Sequence, residues 1–354
     1  MFDLYLAGGL SKVVDKMVLD VAPGCCRLFS YLQPSSIDKH VEWRKQDMAK
    51  FDLYFAGSQN SQAGEMLKEM SCNRLGSQLN DRKLLDEYME ARPNGYVGKI
   101  LVDSGAFTAH TKGVEIDCDA YIDYLNSIHE YVNLYAQLDK IPGEFGKERT
   151  PEQLAEAPKL SWDNYVYMRA KLAEPDKLLP IYHQGEDIKW LKNMLEATFD
   201  GKHIPYIGIS PSNDKSVAEK VKWIEQVFKV IKHSSNPNVK THAFGMTSLK
   251  VLERYPFTSA DSTSWILQGV NGSIFTPYGV LVVSENRRKD PHHIDWLGPD
   301  VKKACIEYFE KCGFSYQQVV EDYKVRLCLN IIYLKNWADN YTFKGNNMHK
   351  KHLI

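Results

Sequence analysis

Four segments of the sequence end in a polar side chain that could take part in catalysis or recognition. A carboxylate can act as an acid, a base or a nucleophile, and a carboxamide both donates and accepts hydrogen bonds. Each of the four follows a short apolar run of the kind that predicts a β-strand: Asp103 in KILVDSGAF, Asp139 in NLYAQLD, Gln184 in LLPIYHQG and Asp261 in FTSADSTSW. These residues form a candidate site if the fold brings the strand ends together.

Any one of these aspartates also has a purely structural interpretation. An aspartate followed by Ser-Gly often ends a strand by accepting backbone hydrogen bonds in a turn or at a helix start. That interpretation weakens for three aspartates at corresponding ends of separate strands. Like charges held close together are costly unless a site uses them, so the repeated pattern favours a functional role.

The elements that must position these residues alternate between strand and helix patterns. Such alternation is typical of an α/β fold, and here it predicts a (β/α)8 TIM-type barrel, whose active sites lie at the carboxyl ends of the strands. The helical patterns cover 119–131, 187–197, 216–231 and 247–254. Nine strand candidates are close to the eight that such a barrel needs: 3–6, 27–32, 52–55, 99–103, 133–139, 177–183, 205–209, 240–244 and 257–261.

The domain organisation follows from the same patterns. Residues 1–295 are predicted to form the catalytic barrel, with an insertion around 60–94 carried between strands. Residues 296–354 have helical patterns and are predicted to form an extension packed on the barrel. No linker rich in proline, glycine or serine divides the chain.

The overall charge limits how a polyanion could bind. The 354 residues carry a formal net charge of −1, so the chain lacks the global positive field of many nucleic-acid-binding proteins. A nucleic acid would have to be held by a local patch, helped by a second copy of the chain or an accessory protein. The candidate patch is Arg287, Arg288 and Lys289 in SENRRKDPHH, although a short basic run is also typical of an ordinary solvated surface.

The seven cysteines are scattered and include no CxxC pair. This spacing argues against a disulfide framework and against a zinc ribbon, and it favours a reducing compartment. The first residues lack the form of a signal peptide, and no apolar stretch approaches the roughly 20 residues that span a bilayer. A cytoplasmic protein without a membrane partner is therefore expected.

Paired carboxylates suit chemistry at a glycosidic carbon. One carboxylate can attack the sugar and hold it as a covalent intermediate, while a second protonates the leaving group and later acts as a base. A third can accept hydrogen bonds from the ring N–H and exocyclic amine of a guanine-like base. The candidate site has enough carboxylates for all three roles.

The order of the motifs resembles that of the tRNA-guanine transglycosylases. VDSGAF at 102–107 is similar to their DSGGFQ segment, and the similarity covers about 99–265. The compact SGAF and DSTSW segments look like the DpdA-type enzymes of bacteriophages and bacterial islands, which exchange guanine in DNA for a 7-deazaguanine. The other similar segments follow in the family's order: QLD at 137–139, HQG at 183–185, YIGIS at 206–210, HAFGM at 242–246 and SADSTSW at 259–265.

The resemblance implies a role for each matching residue. Asp261 would be the nucleophile at the anomeric carbon, and Asp103 the general acid and base. Asp139 would accept hydrogen bonds from the donor edge of the guanine. The remaining substrate contacts would come from Gln184 and the backbone of Gly208, from Ser104 and Gly105, and from Phe107 and Phe244, which would stack on the heterocycle unless they are simply core residues.

The function that these features favour is the exchange of guanine in DNA for a 7-deazaguanine base such as 7-cyano-7-deazaguanine. The sugar carbon is shielded in a stacked duplex, so the nucleotide would have to be flipped out or single-stranded. Three alternatives remain open at this stage. They are the same exchange on tRNA, a hydrolytic guanine glycosylase, and a catalytically inactive barrel that only binds nucleic acid.

One departure from the family concerns zinc. The family's zinc site uses a CxCxxC cluster followed by a histidine, and no such cluster is present. Cys305, Cys312, Cys328 and His349 occur at other spacings, and Cys305 and Cys312 lie seven residues apart in a helical pattern, which favours burial in a core. Neither a metal nor another cofactor is expected.

Overall fold

The computed structural model describes residues 51–57, 60–246 and 248–344. Strands and helices alternate over most of this part of the chain. The strands are β1 (Asp52–Phe55), β2 (Asn73–Ser77), β3 (Ile100–Asp103), β4 (Leu134–Ala136), β5 (Leu178–Leu179), β6 (Ile181–His183), β7 (Thr198–Phe199), β8 (Lys202–His203), β9 (Tyr206–Ser210), β10 (Lys240–Ala243), β11 (Ser259–Ser262), β12 (Ser273–Thr276) and β13 (Gly279–Val282).

The helices lie between these strands and after them. Several begin at side-chain caps; Thr150 and Ser216, for example, each form a reciprocal capping box with the residue three positions on. The α-helices are α1 (Ser61–Glu69), α2 (Arg82–Glu90), α3 (Ala106–Lys112), α4 (Cys118–Ile128), α5 (Pro151–Lys171), α6 (Ile188–Glu196), α7 (Val217–Lys232), α8 (Leu249–Arg254), α9 (Ser264–Val270), α10 (Pro299–Lys311), α11 (Tyr316–Glu321) and α12 (Tyr323–Asp339).

Nine of the strands form one parallel sheet in the order β5-β4-β3-β2-β1-β11-β10-β9-β6. The two strands at the ends of this order, β5 and β6, are separated along the chain by Pro180 alone. The Gln137 N–H donates to the Leu179 carbonyl on one side, and the Gly208 N–H donates to the Pro180 carbonyl on the other. The sheet is therefore nearly closed, which confirms the predicted α/β class.

The sheet separates two apolar layers. Side chains of alternate strand residues face opposite sides of a sheet, as in β3, where Leu101 belongs to an inner cluster and its neighbours Ile100 and Val102 belong to the main core between sheet and helices. The inner cluster is small and contains Tyr54, Leu101, Leu134, Leu179 and Tyr206, with Leu75 and Phe244 packed against it. This layering decides which strand residues can reach the mouth of the ring.

The predicted insertion around 60–94 is wrong, because this segment supplies a central strand. Strand β2 pairs with both β1 and β3. Its sequence, NRLGS, lacks an apolar run because Arg74 occupies a core position, where its guanidinium donates to the carbonyls of Phe55 and Gly57. The strand candidates at 3–6 and 27–32 lie outside the described residues.

The segment after the sheet forms a second core. Helices α10 and α11 pack with the antiparallel hairpin β12–β13 around buried Ile274, Val283 and Phe309. The hairpin thus shares its core with the helical extension, although the predicted boundary at 295 assigned it to the barrel. Helix α12 is apolar on both sides because it contacts this core with Leu329 and the main core with Ile331.

Gly208 marks a close contact inside the ring and yields a stability prediction. A Cβ on this residue would lie 2.5 Å from Phe244 Cε2 and 3.0 Å from Ile181 Cγ1. We expect Gly208→Ala to lower the free energy of unfolding by about 1–3 kcal/mol, the range for overpacking in a core. Urea denaturation measures this change.

Gly298 is the matched control, because a Cβ there would meet nothing within 4 Å. It lies at the start of α10, where the loss of a favoured cap residue is offset by the lower entropy of an unfolded chain with alanine. Gly298→Ala should leave the unfolding free energy nearly unchanged. Equal effects of the two substitutions would contradict the close packing at Gly208.

Within the described residues, none of the helices combines the length and apolar character needed to cross a bilayer.

Candidate active site

The alternation along each strand turns the candidate side chains toward the ring interior. In β3, Asp103 lies two residues after Leu101, which faces the inner cluster. In β11, Asp261 lies two residues after Ser259, whose hydroxyl contacts the inner residue Tyr206. Parallel strands of one sheet end at the same side, so both carboxylates lie at the carboxyl end of the ring.

Asp103 is the carboxyl group whose proton affinity is most clearly altered. Burial raises its pKa to about 6, the Gly105 N–H opposes this by donating to Oδ2 at 3.1 Å, and the charges of Asp139 and Asp261 raise it further. The charges of the other two predicted carboxylates therefore act on Asp103. Gly105 has a φ of 81° that glycine adopts without strain, which lets its N–H turn back to Asp103.

Asp261 is buried and held from the neighbouring strand. Its Oδ1 accepts a hydrogen bond from the Gly245 N–H at 2.8 Å and lies 3.3 Å from His242 Nε2. Gly245 follows β10 with a φ of 60°, another left-handed conformation. The loop after β10 therefore fixes one oxygen of this carboxylate, and within the described residues the other oxygen, Oδ2, accepts no hydrogen bond.

A buried polar chain continues from Asp261 into the ring. The other ring nitrogen of His242, Nδ1, lies 2.6 Å from Ser259 Oγ, which lies 2.6 Å from the hydroxyl of Tyr206. His242 and Ser259 are fully buried. Because each group satisfies the next, the chain holds the imidazole in one orientation beneath Asp261.

Asp139 is held between two donors. The Gln137 amide donates to its Oδ1 at 2.5 Å, and His183 Nε2 lies 3.3 Å from its Oδ2. The other ring nitrogen of His183 lies 3.1 Å from Glu186 Oε1. Burial opposes a charge on His183, but the carboxylates of Asp139 and Glu186 outweigh it and raise its pKa to about 10.

Two of the predicted substrate contacts are altered by the fold. The N–H of Gly208 donates to the Pro180 carbonyl at 2.7 Å, so this backbone donor is used within the sheet. Gln184 Oε1 accepts from the Ser212 N–H at 3.1 Å. The amide nitrogen of Gln184 is then the part of its side chain suited to a ligand carbonyl.

Ser104 and Phe107, which follow Asp103, differ in burial. Ser104 is buried, and its Oγ accepts from the Ala106 N–H at the start of α3, so its hydroxyl helps to shape the turn. Phe107 is 65% exposed, which removes the core interpretation for this ring. Phe244 is half-buried over Gly208, with its ring centroid 4.4 Å from that of His242.

A groove of about 1220 Å³ begins at Asp139 and runs outward between the loops that follow β4 and α3. Its lining includes Lys112, Lys140 and the exposed ring of Phe145. The His110 ring meets Phe145 edge-on at 6.3 Å. The groove is much larger than one nucleobase and is open to solvent, and of the three site carboxylates Asp139 alone lines it.

The predicted basic patch lies elsewhere. Arg287 donates to the carbonyl of Asn271, which caps the carboxyl end of α9, whereas the carboxylates lie at the strand ends beside the amino ends of helices. Arg287 also pairs with Asp290, and Arg288 pairs with Glu285 and Asp295. Much of the patch's charge is thus neutralised internally. Lys289 is exposed.

The cysteines do not fit a zinc site. Burial raises the pKa of the thiols of Cys305, Cys312 and Cys328 to about 11 in each case, which disfavours the thiolate that zinc binds. His349 lies outside the described residues. Across 51–57, 60–246 and 248–344, no group of three or more histidine, cysteine or acidic side chains is arranged to hold a metal ion.

The sequence patterns left three polar residues of the site without a role. His183, Glu186 and His242 lie inside or beside the quoted motifs, yet each sits next to a more obvious candidate. The available signal was the placement of His183 and His242 at or near strand ends, in the same positions that singled out the aspartates. Only the spatial contacts join them to Asp139 and Asp261.

Comparison with known proteins assigns this chain to no family. No protein-family model matches the sequence, and no curated protein matches it. A functional proposal for this chain therefore depends on the site itself and on the motifs that compose it.

Proposed function

We propose that this protein is a transglycosylase that exchanges guanine in DNA for a 7-deazaguanine base. The observation that carries the proposal is the set of three interacting carboxylates, Asp103, Asp139 and Asp261, at the mouth of one nearly closed parallel sheet. The resemblance of the surrounding segments to the tRNA-guanine transglycosylases supports the same chemistry.

In the proposed first step, Asp261 attacks the anomeric carbon of the target nucleotide. A bond forms between a carboxylate oxygen and the carbon while the bond from the carbon to guanine N9 breaks, and Asp103 supplies the proton that the departing base takes up. The Gly245 N–H holds Oδ1 of Asp261, so Oδ2 is the oxygen available for attack. The product is a glycosyl ester and free guanine.

The second step is the reverse of the first, with a different base. Asp103, now ionised, removes a proton from the incoming 7-deazaguanine, whose nitrogen attacks the sugar and releases the Asp261 carboxylate. A pKa of about 6 suits this cycle, because the proton is held strongly enough to be available and weakly enough to be given up near neutral pH.

Recognition of the base would come from the residues around Asp139. This carboxylate would accept from the ring N–H and exocyclic amine, and the free amide nitrogen of Gln184 would donate to the base carbonyl. Phe107, exposed beside Asp103, would stack on the heterocycle. Phe244 would line the opposite part of the pocket.

The number of strands in the ring favours a more specific fold than the α/β class. Counting β5 and β6 as one strand interrupted at Pro180 gives eight strands in the ring, as in the (β/α)8 TIM-type barrel. We propose that the chain has this fold, with a helical carboxyl-terminal extension that also includes the hairpin β12–β13.

The polymer would approach the groove at Asp139. Lys112 and Lys140 supply the permanent positive charges of its lining, which also carries the acidic residues Glu115, Asp117, Asp119, Asp139 and Glu144. We expect the combined Lys112→Ala and Lys140→Ala variant to bind a DNA oligonucleotide at least about threefold more weakly at low salt, because each lost cation leaves a phosphate unneutralised.

The control removes the basic patch at the other end of α9. Arg288→Ala combined with Lys289→Ala should change DNA affinity by less than about twofold, since exposed charges far from the bound polymer contribute little. Fluorescence anisotropy at two salt concentrations measures both variants. A larger loss of DNA affinity in the second variant would indicate that the polymer binds at the patch at 287–289.

The function is tested by base exchange. DNA and, separately, tRNA carrying labelled guanine are incubated with the protein and unlabelled 7-cyano-7-deazaguanine. Release of label from DNA that requires the added base is the expected result. Release from tRNA instead would show that tRNA, and not DNA, is the substrate. Release without added base would indicate a hydrolytic glycosylase. Release from neither polymer would overturn the proposal.

A further inference from the structure

His183 occupies a position that the proposed reaction does not use. It follows the strand pair β5–β6, and its two ring nitrogens face two different carboxylates, Nε2 toward Asp139 at 3.3 Å and Nδ1 toward Glu186 at 3.1 Å. Glu186 also accepts the backbone N–H of His183 through its second oxygen at 3.2 Å. The ring is thus held at two points and the backbone of the same residue at a third.

This arrangement determines the proton count of the ring. A neutral imidazole has one N–H donor and one bare nitrogen, and a bare nitrogen facing a carboxylate oxygen would be repelled. Two carboxylate acceptors require two donors, so the ring carries both protons and a positive charge. The raised pKa of His183, about 10, has the same origin in its two acidic neighbours.

The consequence for Asp139 is a fixed, ionised carboxylate. Its Oδ1 accepts from the Gln137 amide and its Oδ2 forms an ion pair with His183 Nε2 at 3.3 Å, so both oxygens are oriented before any ligand arrives. An ionised carboxylate has only acceptor sites and cannot donate to a base. Its remaining lone pairs suit a ligand that presents two adjacent N–H donors.

We propose that His183 is a specificity-determining positioning residue, which holds Asp139 as an oriented acceptor and so selects bases that carry an amine beside the ring N–H. The inference rests on the proposed function for the identity of the ligand. It predicts that guanine and 7-deazaguanines are preferred over hypoxanthine, which has the same ring N–H but lacks the amine. Among the described residues, the ion pairs of this imidazole are with these two carboxylates.

The test compares binding of guanine and hypoxanthine to the whole protein by titration calorimetry. The wild-type protein should prefer guanine by at least about tenfold, the size expected for a hydrogen bond to a charged group. In His183→Gln, which keeps a donor near Asp139 but has no charge, this preference should fall at least about fivefold. Glu186→Gln retains an acceptor for Nδ1 and should cause a smaller change in the same direction.

A merely structural role for His183 has a different signature. His183→Gln would then weaken guanine and hypoxanthine by the same factor and leave the preference intact, which would overturn the proposal. Nitrogen NMR of the histidine rings gives a second readout, because Nδ1 and Nε2 of His183 should both carry protons at pH 7. A single protonated nitrogen would also overturn it.

The two proposals fail in distinguishable ways. Wild-type protein that prefers guanine in calorimetry but exchanges no base would end the transglycosylase assignment and leave the role of His183 intact. Wild-type protein that exchanges guanine and hypoxanthine equally would overturn the role of His183 and leave the transglycosylase assignment intact. Protein that binds neither base would overturn both.

Discussion

Replacing Asp261 by asparagine should abolish base exchange, with a loss of at least about 10³-fold, while the fold is retained. The asparagine oxygen can still accept from the Gly245 N–H, so the loop after β10 keeps its position. A carboxamide oxygen, however, is too weak a nucleophile to form the glycosyl ester. The label-release assay measures the loss, and urea denaturation checks the fold.

The covalent intermediate gives an independent check on the same residue. Wild-type protein mixed with DNA in the absence of an acceptor base should yield a protein–DNA adduct on a denaturing gel, and Asp261→Asn should yield none. Asp200→Asn is a suitable control, because Asp200 lies in the turn between β7 and β8 with a φ of 50° that asparagine tolerates. Exchange that survives in Asp261→Asn would exclude this nucleophile.

Replacing Asp103 by asparagine should inactivate the protein and stabilise it. Asparagine cannot carry the proton between departing and incoming bases, and a loss of about 10²- to 10⁴-fold is typical of a missing general acid and base. The same substitution removes a buried negative charge that lies near two others. The raised pKa of Asp103, about 6 against an ordinary 3.8, shows that the site disfavours this charge.

The size of the stabilisation follows from that pKa. A difference of about two pKa units corresponds to at most about 3 kcal/mol, and we expect about 1–2 kcal/mol because Asp103 is partly accessible to solvent and its charge is favoured by the Gly105 N–H. The folded protein binds the proton more tightly than the unfolded chain does. The stability that this group contributes to the wild-type protein therefore declines as the pH rises from about 4 to about 6 and stays constant above.

Denaturation of wild-type protein and Asp103→Asn at several pH values tests this sign. The variant should be more stable at pH 7, and the difference should vanish below about pH 3, where the carboxyl is protonated in both states. A variant less stable than the wild type at pH 7 would mean that the Gly105 contact outweighs the repulsion. Activity and stability moving in opposite directions would mark Asp103 as a functional residue.

The sequence by itself determined the class of the fold and the positions of the acidic residues. Most of the sheet strands have apolar runs, and their polar ends at Asp103, Asp139 and Asp261 could be located because a strand pattern is local and repeats every second residue. Strand β2 was not predicted from these patterns. The terminal nitrogens of its core residue Arg74 donate to carbonyls of β1 and the following loop, which are distant in sequence.

Only the tertiary structure decided which polar groups meet. The chain order gives no hint that Asp139 meets the imidazole of His183 or that Gly245 holds Asp261, because these contacts depend on the pairing of neighbouring strands. The same pairing uses the Gly208 N–H inside the sheet and leaves the patch at 287–289 at the far end of α9. Residue type and spacing set what each side chain can do, whereas register and closure of the sheet set what it faces.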